Sequence, residues 1–220
     1  MSLRLPNDGR RLAREDFFKP YPAEGALRQS DRQRAAVVPL EFLSDLQAAL
    51  APDFGPSTRH LLYCTGFDWG LRDMVRLGQR LRDESDGGNN LDLWQREAMF
   101  VLESWWAPLA AGGWGGCAFS TLPHGLVLAV VSESASAAAA GHATEPVCHL
   151  TAGLLAGALS FYERAERHAV EVQCAALGHA NCQFIIGASP HIDPVEKWQH
   201  QNLPVDEIRR RLAALPHAAV

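Results

Sequence analysis

The sequence predicts an α+β domain, an antiparallel sheet with helices packed against it. Three observations lead there. Helical apolar spacing dominates up to about residue 111; two pairs of short strand-like segments, around 114–131 and 169–186, are each joined by a turn; an apolar helix lies between the pairs and a charged helix follows them. No internal repeat or long linker interrupts this order, so the 220 residues read as one main domain.

Residues 1–33 are polar and proline-bearing, with an aromatic island at Phe17, Phe18 and Tyr21, and are expected to form an arm outside the core. The main domain is expected over 34–190 and a helical tail over 191–220. Ala35–Val38 suits a short strand before Pro39. Leu40, Phe42, Leu43, Leu46 and Leu50 then recur at helical spacing, with Pro52 expected to end that helix. Trp69, Leu71, Met74, Val75, Leu77 and Leu81 mark a second helix, led in by Leu61–Tyr63 and closed by the turn Gly87–Asn90. In the third helix, Leu93, Trp94, Met99, Phe100, Leu102, Trp105, Trp106 and Leu109 cover so wide an arc that burial on most sides is expected.

GWGGCAFSTL and GLVLAVVSE, split by Pro123, His124 and Gly125, read as a hairpin. The small residues of 132–144 read as a flexible surface connection. The helix over 145–163 contains Gly153 and Gly157, which permit close backbone approach. Strands at 169–175 and 181–186 are joined through Gly178 and Asn181. Pro194 is expected to open a charged helix, Pro204 to interrupt it, and VDEIRRRLAAL to form a solvated helical tail.

Composition excludes some classes. A net charge of -5 with basic residues scattered among acids does not make a phosphate-binding surface, so no nucleic-acid partner is expected. The apolar runs are too short for a membrane span of about 20 residues. No apolar stretch follows the first arginines, so no secretory signal is read and the cytoplasm is the expected compartment. Five cysteines there are thiols or metal ligands sooner than a disulfide framework.

Cys148 near a helix start, Glu171 and Cys174 on one strand, and Cys182 across the turn are four candidate ligands. Strand alternation sets Glu171 and Cys174 on opposite faces, because three is an odd spacing. A strand end or bulge between Val172 and Gly178 is needed to bring them together. On these residues alone, two readings stand: three buried thiols beside a surface glutamate, or a tetrahedral metal site. Three thiolates and a carboxylate suit zinc, and four protein ligands leave no open position, which makes such a site structural.

EVQCAALGHANCQFIIG, with PVCHLTAGLLAGALSFYERAERHAV before it, resembles the signature of the 4-vinyl reductase (V4R) domain family. The resemblance covers roughly Trp114–Gly187. It implies that Cys148, Glu171, Cys174 and Cys182 hold zinc, as the matching positions do in the phenol- and xylene-responsive regulators of that family. It also implies a fold like that of the vesicle-tethering transport-particle subunits, and a homodimer. His149, His168 and His179 flank the ligands and read as solvated or supporting groups.

Five of the six tryptophans fall between Trp69 and Trp114, within a core of large rings or around a cavity. Members of the resembled family enclose phenols, alkylbenzenes or acyl chains, or are linked to tetrapyrrole synthesis. By that resemblance, Trp105, Trp106, Trp114 and Phe119 are expected in a cavity wall, with His124 or Tyr63 as a polar contact. The functional expectation is a zinc-stabilised module for a small apolar, aromatic or tetrapyrrole-type ligand, a sensor or carrier acting through a partner protein, since the chain stops at Val220 without the ATPase and DNA-binding domains of the regulators. The alternatives are a 4-vinyl reductase or accessory protein of bacteriochlorophyll synthesis, and a structural assembly subunit. GGWGG precedes a strand-like segment and not a helix, so the phosphate cradle a reductase cofactor needs is missing.

Overall fold

The computed structural model describes residues 17–30, 32–83 and 93–216. It opens on a small antiparallel sheet of β1 (Phe18–Tyr21), β2 (Ala26–Gln29) and β3 (Arg34–Ala35), in that spatial order. This corrects the expectation of an arm for residues 17–30, because Phe17 is only 2% exposed. Pro20 disguises the first strand in the sequence. It is tolerated because β1 is an edge strand whose outer side needs no amide donor. Residues 1–16 lie outside the described residues, as does the expected turn at Gly87–Asn90.

Three helices follow: α1 (Glu41–Phe54), α2 (Ser57–Asp83) and α3 (Ala98–Ala111). Pro52 does not end α1. The carbonyl deprived of a donor belongs to exposed Ala48, which water can serve, and the helix stops instead at Gly55 with φ 51°. Helix α2 absorbs Leu61–Tyr63. In α3, Val101, Leu102, Trp105, Trp106 and Leu109 are buried, while Glu103 and Phe100 face water, so its burial is one-sided.

The main sheet contains β4 (Gly116–Leu122), β5 (Leu126–Ser132), β6 (His168–Gln173) and β7 (Cys182–Gly187), all antiparallel in the order β4-β5-β7-β6. Between its two hairpins lie α4 (Ala135–Ala140) and α5 (His149–Glu163). The small residues of 132–144 therefore do not stay irregular. The Ser134 hydroxyl accepts from the Ala137 amide and caps α4, whose Ala135 and Ala137 are buried.

Period-two alternation splits the sheet between two cores. Val127, Ala129, Val131, Phe184 and Ile186 face α2, α3 and α5. Leu126, Leu128 and Ile185 face the other way, onto α6 (Ser189–His200) and α7 (Val205–Ala213). Pro194 lies inside α6 and does not open it, and Pro204 caps α7. The solvated tail is also corrected. Ile208 and Leu212 are fully buried, because the apolar residues of VDEIRRRLAAL share one helical face and the charges occupy the rest.

Helices α2 and α5 meet backbone to backbone. A Cβ on Gly153 would stand 1.9 Å from the Tyr63 carbonyl oxygen, and one on Gly157 would stand 2.0 Å from that of Phe67. The contact is reciprocal. Gly66 and Gly70 on α2 lie equally close to the carbonyls of Leu150 and Leu154. Paired glycines at a spacing of four put the flattest face of each helix against the other. The first turn of α5 is thereby fixed over the sheet.

Candidate metal centre and ligand cavity

Cys148 caps the N-terminus of α5, Glu171 lies on β6, Cys174 follows the end of β6, and Cys182 begins β7. The odd spacing is resolved by an irregularity in β6. Glu171 pairs with Phe184 but Gln173 pairs with Gln183, so Val172 is an extra residue and Cys174 swings to the face that holds Glu171.

The four groups converge: their ligand atoms all lie within 4.8 Å of one another, and all four residues are buried. The Cys148 Sγ is 3.6 Å from that of Cys182 and 4.0 Å from that of Cys174. Sulfurs on a tetrahedral zinc with bonds of about 2.3 Å stand about 3.8 Å apart, between those two values. The Cys148 amide donates to Glu171 Oε2 at 2.9 Å, whereas Glu171 Oε1 is buried without a partner. A buried acceptor so placed is what a cation would satisfy. Ala175 N–H also donates to Cys182 Sγ at 3.3 Å. The donor set fits a metal ion.

Without a cation the cluster is electrostatically awkward. Burial pushes the Glu171 carboxyl up to about 8, with the charge at Cys174 adding to it. Cys148 is raised because its thiol donates to Cys174 and Cys182, and burial adds to that. Cys182 is held down to about 4 as the acceptor of those thiol bonds, Cys148 foremost. Tetrahedral zinc needs its cysteine ligands as thiolates, so binding it must release the proton that Cys148 holds. Among the flanking histidines, His149 is lowered by burial and by Arg59, His168 is half-buried, and His179 is exposed.

A cavity of about 440 Å³ lies elsewhere, between the small sheet with its following segment and helices α2 and α3. Trp105 and Trp114 line it, together with Trp69, Asp73 and Arg76. The other expected wall residues lie away from it. Trp106 is buried behind the wall and donates from Nε1 to the Gly115 carbonyl at 2.8 Å. Phe119 packs edge-on against Trp106 in the inner core. The Tyr63 hydroxyl accepts from the Ala169 amide, and His124 meets the Leu212 carbonyl on the far side of the sheet. Asp73 and Arg76 went unmarked in the sequence because a charged i,i+3 pair on a helix normally reads as solvated surface.

Residues 128–188 match the V4R domain family. None of the curated proteins compared matches the chain. Among solved structures, the phenol-responsive sensory domain of the transcription activator PoxR, determined with phenol, superposes with a TM-score of 0.65 at 20% identity, covering 85% of this chain and 92% of that one. A vinyl-4-reductase family protein from Methanocaldococcus jannaschii gives 0.44 at 14% identity over 70% and 83% of the two chains. Subunit 3 of a trafficking protein particle complex from Naegleria fowleri, covalently bound to palmitic acid, gives 0.46 at 14% identity over 67% and 90%. The matched segment begins in β5 and ends just past β7, so it contains all four clustered residues. No helix among the described residues is long and apolar enough to cross a membrane. Residues 128–188 thus match the V4R domain model, within an α+β architecture similar to that of a phenol-responsive sensory domain.

Proposed function

We propose that this chain is a small-molecule sensor or carrier whose V4R domain is held together by zinc. Cys148, Glu171, Cys174 and Cys182 are the ligands, and the ion clamps the β6–β7 hairpin to the start of α5. The observation that carries the metal assignment is the convergence of four buried donor atoms within 4.8 Å. Three sulfurs and one carboxylate oxygen favour zinc over the harder divalent ions, and a closed four-ligand shell makes the ion structural.

The small molecule is apolar or aromatic and enters the cavity bounded by Trp69, Trp105 and Trp114. Its volume of about 440 Å³ is in the ligand-site range. The phenol in the sensory-domain neighbour supports the same ligand class here. Output passes to a partner protein. Phe42, Leu46 and Phe54 leave the outer side of α1 apolar and exposed, which supports pairing of two copies there.

Native mass spectrometry of the full chain from its own host tests this reading. A mass corresponding to two chains, two zinc ions and a retained small apolar molecule is expected. A metal-free monomer that also gives no tryptophan fluorescence change with phenol or 1-naphthol would overturn it.

A further inference from the structure

The outer face of the small sheet carries a row of like charges. Phe18, Leu27 and Ala35 line the cavity, so strand alternation turns Lys19, Tyr21, Arg28 and Arg34 to the opposite side. Pairing places Lys19 directly across from Arg28, and Arg28 directly across from Arg34. Like charges in directly opposed positions destabilise a sheet. Among the described residues, one carboxylate meets the row: Glu24 pairs with Arg28 at 3.1 Å. Lys19 and Arg28 also lie over the Tyr21 ring, 5.9 Å and 5.7 Å from its centroid, so the face joins an aromatic surface to excess positive charge.

Helix α1 has the complementary character. From Ala35 to Thr58 the chain has no Lys, Arg or His, and Glu41, Asp45 and Asp53 are all exposed. Asp45 and Asp53 share one side of the helix with Phe42, Leu46 and Ala49 by three- and four-residue spacing, and Phe42 and Leu46 are themselves exposed. No residue of α1 is buried. A helix this short draws its stability from packing, so a stripe that mixes acids with large apolar side chains calls for a partner that is both apolar and basic.

Resting on the reading above that two copies pair, we infer that α1 of each copy docks on the outer face of the small sheet of the other. Its carboxylates face the partner's Lys19, Arg28 and Arg34, and its Phe42 and Leu46 meet the partner's Tyr21. A two-fold axis makes both contacts at once. Helix against helix is disfavoured, because it gathers the carboxylates of both copies with no cation between them. Val37, 72% exposed, and Val38 line the cavity from the segment that joins β3 to α1, so a copy seated on both patches also covers that part of the cavity wall.

Sedimentation velocity on the zinc-loaded full chain and two charge-reversal variants tests this. Lys19→Glu with Arg34→Glu reverses the ends of the row, and Asp45→Arg with Asp53→Arg reverses the helix stripe, all at exposed positions. The unaltered chain is expected as a dimer that weakens as salt rises from about 0.05 M to about 0.5 M and screens the contact. Each variant alone should dimerise at least about 10-fold more weakly, because both contacts then set like charges together. An equimolar mixture of the two variants should pair, since every helix then meets a sheet of opposite sign, and native mass spectrometry identifies that mixed dimer by its mass. Should a variant fail to fold, the salt response of the unaltered chain tests the same contact, and a dimer indifferent to salt overturns the inference. Variants that dimerise as tightly as the unaltered chain, or a helix variant that pairs with itself more tightly, also overturn it and leave the two-copy reading standing. An unaltered chain that stays monomeric overturns both.

Discussion

The amide of Cys148 donates to Oε2 of Glu171 at 2.9 Å, which ties the first turn of α5 to β6 where that strand gains an extra residue. The glutamate thus has two tasks, one oxygen for the helix terminus and one for the cluster.

Substitutions at Glu171 should separate those tasks. Glu171→Gln keeps an acceptor for the Cys148 amide but loses the anionic ligand, and zinc affinity should fall at least about 10-fold. Glu171→Ala also leaves the buried amide unpaired, costing about 1–3 kcal/mol more in stability. Chelator competition and urea unfolding of both variants check the order. Equal stability of the two would contradict the helix-anchoring role.

The pH response follows from the shifted groups. In the metal-free chain, Glu171 titrates at about 8 against an ordinary 4.5, so its contribution to stability is whole below pH 4.5 and is lost as pH rises through about 8. Cys182 behaves oppositely, at about 4 against 9, with its contribution whole above pH 9 and lost as pH falls through about 4. Over the shared window the two offset, and metal-free stability should vary little. Zinc must displace the protons on Glu171 and Cys148, so its affinity should rise steadily between about pH 6 and pH 8. A zinc affinity independent of pH, measured with a buffered chelator, would exclude this charge distribution.

The glycine contact is a sharper structural test. Gly153→Ala would drive a methyl into the Tyr63 carbonyl at 1.9 Å, and both partners are backbone. A loss of about 3 kcal/mol, at the upper end for overpacking, is expected in chemical denaturation. A neutral result would mean that α2 and α5 are further apart.

The C-terminal helix should behave as core. Leu212→Ala, at a fully buried position packed on the outer face of the sheet, should cost about 2–5 kcal/mol. Surface Arg209→Ala on the same helix should cost under about 0.5 kcal/mol.

Much of this architecture is legible in the residues. Both hairpins of the main sheet, the helix between them and the glycine pair Gly153 and Gly157 follow from local pattern, and the meeting of Cys148, Glu171, Cys174 and Cys182 in one cluster follows from donor chemistry and motif spacing. The difficulty at Glu171 and Cys174 even located the bulge. What escaped depends on partners distant in sequence. Pro20 hides a strand whose edge position is invisible locally, and the small residues of α4 carry no periodic signal. Ile208 and Leu212 read as a solvated stripe until β5 and β7 are placed beneath them. The cavity escaped for the same reason: its wall joins α2 and α3 to residues 35–40, and rings counted along the chain do not reveal that Trp106 and Phe119 pack behind it.

Zinc K-edge absorption on freshly purified, tag-free protein, paired with elemental analysis, addresses the metal clamp directly. The predicted result is one zinc per chain with three sulfurs at about 2.3 Å and one oxygen at about 2.0–2.2 Å. Protein that is folded but holds no stoichiometric metal, or zinc bound only by nitrogen and oxygen, would contradict it.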